Sequence, residues 1–289
     1  MKTAVLTVVH PSSEPYFHEF LYSLSRQTDP DFTIFLINDG IHDIENILQE
    51  YHLSVRVRNV SGTPSVLRKS GIEWIRSEGA KVIVFADSDD CFSENRIETS
   101  KEFLSYHDIV LNELVLFGKH IQNPFPLLKN RLAEREIITR GSIEKSNCMG
   151  LSNTAMRTKS IPQRLSCIPD NIIAFDWAFF SLCLHEGAEA VFTGKCTTFY
   201  RQHENNIASP QAFTNEQVLR GVRVKREHYR FLARFYDNYS KMSKEFIMLF
   251  EKLDTDSILR EKYCEEIRSR LLQNFLWWEP IRTLQELGL

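Results

Sequence analysis

Short β-branched and aliphatic runs alternate with stretches of helical periodicity through the first third of the chain, a pattern that limits this part to a sheet covered by crossover helices. Residues 5–9 read as a buried strand. Ser12, Ser13 and Pro15 then start a helix carrying Phe17, Phe20, Leu21 and Leu24 on one face. Residues 33–37 give a second strand, closed by Asn38-Asp39-Gly40, and Asp43 is expected to cap a helix bearing Ile44, Ile47, Leu48 and Tyr51. A third strand covers 54–58, and Pro64 opens a helix through Leu67, Gly71, Trp74 and Ile75. Residues 81–86 are apolar enough to lie in the middle of the sheet, and Asp87-Ser88-Asp89-Asp90 follows at that strand's carboxyl end. Open α/β sheets bind ligands there, because strand ends and helix starts converge on one crevice.

A helix over 96–106 and a strand over 109–117 continue the sheet to about residue 118. Residues 119–170 then place Pro124, Pro126, Pro162 and Pro169 among polar residues, as the long connections that build substrate sites do. A helix over 174–186 ends at Gly187, which suits a left-handed cap, and two short strands are expected before Tyr200-Arg201-Gln202-His203. From 215 to 270 the pattern is helical almost throughout. The chain thus divides at about 118 and 210 into segments 1–118, 119–210 and 211–289.

Charge is nearly balanced, with 35 Lys and Arg against 38 Asp and Glu for a net −3, which argues against nucleic acid as a partner. No run approaches the roughly 20 apolar residues of a membrane span, and the apolar stretch at 4–9 is too short for the core of a signal peptide. Six cysteines at irregular intervals with no CxxC pair read as reduced thiols of a cytoplasmic protein.

Asp87, Asp89 and Asp90 are the most informative residues. Three carboxylates within four positions repel one another, a cost tolerated where a hard cation such as Mg²⁺ or Mn²⁺ sits among them with a substrate's phosphates. A solvated acidic turn is the alternative. Asp39, ahead of Gly40, suits either a contact to a base's ring N–H or a simple turn. Arg68 suits diphosphate or base contacts, or a helix surface. Asp176 stands among Phe175, Trp177, Phe179 and Phe180, where desolvation would raise its basicity, although a helix-capping role fits as well. In the C-terminal part, Arg220, Arg223, Lys225, Arg226, Arg230 and Arg234 could face anionic headgroups or water. The aromatic run Phe275, Leu276, Trp277 and Trp278 is expected to pack.

The ordered segments VVHP, LSRQT, FLINDG, RKSGIEWIR, VIVFADSDD, GLSNTAMRT, FDWAFF and YRQHENN, from residue 4 to about 207, resemble a family 2 glycosyltransferase. The resemblance implies the α/β GT-A fold, a Rossmann-like nucleotide-binding sheet flanked by helices, here with a C-terminal helical region. Segment 1–118 would be the nucleotide-sugar-binding half, 119–210 the acceptor-binding half of the same domain, and 211–289 a helical extension. The implied activity is inverting, metal-dependent sugar transfer from a nucleotide diphosphate donor, UDP- or dTDP-sugar foremost, to a hydroxyl of a glycan or lipid-linked glycan, in cell-surface polysaccharide synthesis. Mn²⁺ or Mg²⁺ would be held by Asp89 and Asp87, with His203. Asp39, Arg68, Asp87, Ser88, Pro11 and Arg201 are the implied donor-binding residues, Ser152, Asn153 and Trp177 the acceptor-binding ones, and Asp176 the base. The family pattern is broken at His10-Pro11-Ser12, where Thr-Tyr-Asn is common, at Asn38 for Asp, and at Lys69 for Asn. A sugar nucleotidyltransferase and a non-catalytic nucleotide- or glycan-binding module are the rival expectations. A peripheral place at the inner face of the membrane and a homodimer through the C-terminal helices are left open.

Overall fold

Seven of the expected elements form in order: strand β1 (Thr3–Val9), helix α1 (Glu14–Ser25), β2 (Thr33–Asn38), α2 (Ile44–Gln49), β3 (Val55–Asn59), α3 (Pro64–Ser77) and β4 (Val82–Phe85). The structure, a computed structural model, describes residues 2–118, 121, 124–203, 214–271 and 275–289. The boundary expected at 210 and residues 204–206 of the YRQHENN segment lie outside the described residues. Strands β3, β2, β1 and β4 are neighbours in that order, and all three pairings are parallel. Every residue of β4 is buried, as its unbroken apolar run requires of a strand covered on both faces. Because the chain runs outward from β1 to β3 and returns to β4 on the other side of β1, the carboxyl ends of β1 and β4 form the switch point where a crevice opens.

Beyond β4 come β5 (Cys91–Phe92), α4 (Arg96–Phe103), β6 (Ile109–Phe117), β7 (Ile137–Ile138), β8 (Thr154–Arg157), α5 (Phe175–His185) and β9 (Ala190–Arg201). The sheet does not end near 118: β8 inserts antiparallel between β4 and β6, so segments on both sides of that position share one sheet. The two strands expected before Tyr200 are one, β9, which runs parallel to β6 and slips register between Asn112↔Thr193 and Glu113↔Thr197. The extra residues bulge outward, and Glu134 holds them by accepting from the Thr193 hydroxyl at 2.8 Å and the Gly194 N–H at 2.7 Å. Asp43 is not the expected side-chain cap of α2; its backbone is left-handed at φ 56° and its carboxylate makes no capping bond. Gly187 closes α5 as expected, at φ 95°.

Alternation along β1 divides the core. Val5 and Val9 face α1 and α4, while Ala4 and Leu6 face α3 and α5. The second face is thickened by α6 (Asn215–Leu232), α7 (Ser240–Thr255) and α8 (Ser257–Ser269), and a segment ending in α9 (Leu284–Leu287) folds back across them. Buried Lys225 of α6 donates to the Ile281 carbonyl at 2.8 Å, and Tyr263 of α8 donates to the Arg282 carbonyl at 2.7 Å, tying that segment down. Lys225 therefore leaves the expected basic face, and the Arg226 guanidinium lies 3.8 Å over the Phe250 ring. Arg223, Arg230 and Arg234 remain exposed. Among the described residues no helix is long and apolar enough to cross a membrane.

One buried acid secures the connection after β6. Glu113 Oε1 accepts from the N–H groups of Leu114, Leu127 and Leu128 at 2.8, 3.0 and 2.8 Å, and Oε2 accepts from Lys129 at 2.6 Å. Glu113→Ala would take this acceptor from the Leu114, Leu128 and Lys129 N–H groups, while the Leu127 N–H keeps the Leu114 carbonyl at 2.8 Å, and should cost about 3 kcal/mol or more. Urea unfolding measures this, and an unchanged midpoint would remove Glu113 as the anchor.

Candidate active site

A cleft of about 460 Å³ opens over the carboxyl ends of β1, β2 and β4. Asp39, Arg68, Asp87, Asp89 and His203 line its polar side, along with His10 and Ser12. Asp176, Leu114, Ile173, Tyr200, Trp277 and Trp278 line the same cleft. Strand ends project Asp39 and Asp87 into the opening, the second turn of α3 brings Arg68, and α5 brings Asp176 from the first turn, two residues past its Ala174 cap.

The three acids after β4 have different fates. Asp87 faces the cleft and burial lifts its pKa from 3.8 to about 6; Arg68, with Nη2 3.9 Å from Asp87 Oδ1, opposes this, while Asp89 and Asp176 add to it. Asp89 Oδ2 lies 2.9 Å from His203 Nε2. Asp90 turns inward and is fully buried, and its oxygens accept from the Ser152 hydroxyl at 2.5 Å and the Arg201 N–H at 2.8 Å. Burial, then Asp89 and Asp87, push its pKa well up. Among the described residues no group of three or more His, Cys, Asp or Glu side chains is gathered as a closed metal cage. A hard cation that keeps waters and shares a substrate's phosphates needs only one or two carboxylates, and two cleft-facing, mutually repelling ones fit that requirement.

Asp176 Oδ2 accepts from the Asn147 amide at 3.1 Å, and Oδ1 from the Trp177 N–H at 2.9 Å. Burial raises its pKa, against the pull of Arg68 and of these donors. It is not the N-cap residue, which is Ala174, but its bond from the Trp177 N–H satisfies one first-turn donor of α5.

Several expected contacts are corrected. Trp177 cannot meet an acceptor: it is fully buried, stacks 3.8 Å from the His228 ring, and donates its indole N–H to the Ile143 carbonyl at 2.6 Å. Arg201 works from behind the acidic loop. Its guanidinium lies between the Tyr16 and Phe117 rings, donates to the Asp89 carbonyl at 2.7 Å and pairs with Glu19 at 2.7 Å. Ser88 lines the cleft but commits its hydroxyl to the Val8 carbonyl and to Ser13. Ser152 lines it too, with its hydroxyl on Asp90. Asn153 lines the same wall, and its amide nitrogen holds the carbonyls of Asn112 and Cys148. Pro11 is exposed and packs beside Gly40, while His10 and Ser12 around it reach the cleft. The departures from the family pattern have structural roles. Asn38 organises the turn after β2 through Ile41 and Asn59, and Lys69 pairs with Asp170 at 2.5 Å. Sequence reasoning missed Asn147, which carries no motif signal; Trp277 and Trp278 pack against the core as expected, and their uncovered surface lines the cleft.

Four parallel strands, a mixed continuation in which only β8 separates β4 from the like-directed β6 and β9, and an acidic loop at the switch point give the GT-A class of fold. The family model for glycosyl transferase family 2 matches residues 4–157, just over half the chain, and the chain belongs to that family. It is 23% identical to the dTDP-rhamnosyl transferase RfbG of Shigella flexneri, across 76% of this chain and 79% of that protein. Among solved structures, S. aureus TarS 1-349 in complex with UDP-GlcNAc matches with a TM-score of 0.61 at 18% identity, covering 86% of this chain and 72% of that one. The mannosyltransferase PcManGT from Pyrobaculum calidifontis, in complex with GDP-Man and Mn²⁺, matches at 0.58 and 12% identity over 81% and 65%.

Asp87 gives a test that separates function from stability. Its raised pKa means that the ionised carboxylate, partly desolvated and near Asp89 and Asp176, costs the ligand-free fold stability, a cost absent below 3.8 and complete once pH has risen past about 6. Asp87→Asn should therefore raise the melting temperature of the ligand-free protein above pH 6, with the gain fading toward pH 4. Thermal scans across that range check it, and a gain independent of pH would show that the carboxylate is not the source.

Proposed function

We propose that this family 2 glycosyltransferase binds a UDP- or dTDP-sugar over the ends of β1, β2 and β4, and passes the sugar, with inversion, to a hydroxyl of a glycan or lipid-linked glycan. The observation that carries the proposal is the gathering, in one cleft, of a crowded acidic loop beside Arg68 and a further desolvated acid, Asp176, from α5. The chemistry must overcome a weak nucleophile and a leaving group that gains charge. Arg68 would serve the second need with a cation for the diphosphate, and Asp39, lining the same cleft, would accept from the base. Asp89 and Asp87 would hold Mn²⁺ or Mg²⁺ by carboxylate oxygens, with His203 orienting Asp89, and a bound ion would neutralise charge on the departing diphosphate.

Asp176 is the proposed general base. Burial raises its proton affinity toward the working range, and the Asn147 amide fixes its orientation without supplying a competing charge. Asp176 would take the acceptor proton as the hydroxyl oxygen attacks the anomeric carbon from the face opposite the diphosphate; the new C–O bond forms as the C–O bond to the diphosphate breaks, and the configuration inverts. The dTDP-rhamnosyl transferase and the UDP-GlcNAc complex among the similar proteins support a donor of this class. The exposed arginines of α6 would favour an acceptor presented at an anionic membrane surface.

A panel of nucleotide sugars with Mn²⁺ or Mg²⁺, read as released nucleoside diphosphate, tests the activity. Asp176→Asn should keep donor affinity and lose turnover by about 10² to 10⁴-fold. Full turnover in that variant would strike Asp176 from the mechanism. Asp89→Ala should abolish the Mn²⁺-dependent part of donor binding in calorimetry, and identical isotherms for variant and parent would exclude Asp89 as a ligand.

A further inference from the structure

Trp277 and Trp278 are not in the core. They are only half-buried and form part of the cleft wall, unlike fully covered Trp177. Three features hold them there. The Trp277 backbone joins Asn147, whose N–H donates to the Trp277 carbonyl at 3.1 Å. Gly150 leaves room for the indole, since a Cβ there would come within 3.3 Å of the Trp277 ring, and the Tyr200 ring meets that indole edge-on at 5.6 Å. Trp278 has φ 64°, a left-handed backbone that a bulky residue adopts only when its surroundings impose it. Such outliers gather at ligand clamps, and this one sits in the cleft wall.

Asn147 also donates its amide to Asp176 Oδ2 at 3.1 Å. One buried residue thus fixes both the carboxylate proposed as the base and the backbone of the indole segment. Asp176 and the indole segment share Asn147, so a ring lying on the indoles is held against the carboxylate proposed as the base, which is the acceptor's place, while the diphosphate and nucleotide base belong to Arg68 and Asp39. Flat aromatic faces flanked by a carboxylate match a pyranose, whose C–H face seeks apolar surface while its rim hydroxyls seek polar groups. We infer that Trp277, with Trp278 beside it, is the platform on which the acceptor's sugar ring lies with its hydroxyl toward Asp176, making the C-terminal segment a determinant of acceptor specificity. This rests on the transfer activity proposed above.

The test uses the full chain, the nucleotide-sugar panel with Mn²⁺, and octyl β-glycosides of glucose, galactose, N-acetylglucosamine and rhamnose as acceptor probes. Trp277→Ala should raise the acceptor KM at least tenfold while donor KM and acceptor-free donor hydrolysis stay within twofold. Trp277→Phe should recover most of the loss. Trp277→Leu, which keeps apolar volume without a flat face, should behave like the alanine variant and covers the case in which alanine impairs folding. An acceptor KM at the parent value in Trp277→Leu, or a donor KM that rises in step with it, overturns the platform. Donor hydrolysis that no glycoside accelerates also overturns it while leaving the donor half standing. A parent protein that neither binds nor hydrolyses any donor brings down the transfer reading, and the platform with it.

Discussion

Crowding of negative charge at the carboxyl end of β4 is the constraint around which the catalytic half is arranged. Asp87, Asp89 and Asp90 leave the sheet together, and each carboxylate is met by a different part of the chain. Arg68 approaches Asp87 from α3, His203 meets Asp89 from beyond β9, and Ser152 with the Arg201 N–H receives Asp90 inside. Further in, the fully buried Arg96 at the start of α4 bonds carbonyls around β8, and its charge partly offsets that of Asp90. The acidic loop is therefore a point where strands from early and late in the chain are cross-tied. A segment that looks like a ligand-binding turn is also a structural node.

This double use explains why Arg201 was misjudged. Its position beside His203 suggested a cation for the donor, but its guanidinium is occupied by the Asp89 carbonyl, Glu19 and two aromatic rings. It fixes the backbone of the loop, while His203, two residues on, meets the carboxylate. Alternation along β9 and the end of pairing at Arg201 decide which of the two faces the cleft, and neither can be read from residue type.

What was legible followed from periodicity. The apolar run of β4 could lie only at the centre of a covered sheet, and the spacing of Phe17, Phe20, Leu21 and Leu24 could serve only a helix with one buried face. Asp39, Arg68, Asp87, Asp89, Asp176 and His203 all reach one cleft because their motifs sit at strand ends and helix starts that topology brings together. The misses are matters of rotation and long-range pairing. Trp177 follows Asp176 directly, yet a step of about 100° around α5 carries it into the interface with His228. The bulge in β9 depends on Glu134, and the insertion of β8 between β4 and β6 depends on the whole sheet, so neither leaves a local mark.

The C-terminal segment carries the same logic to the lining around Asp176. Residues 275–289 lie beyond the part matched by the family model, yet their first turns reach the cleft and their last are anchored on α6 and α8. Among the described residues the groups that meet the acidic loop come from residues before 204, whereas the lining around Asp176 is completed by a segment that could diverge without disturbing those contacts. A transferase built this way can change what it glycosylates by altering its tail, while the donor end keeps the charge arrangement that its chemistry requires.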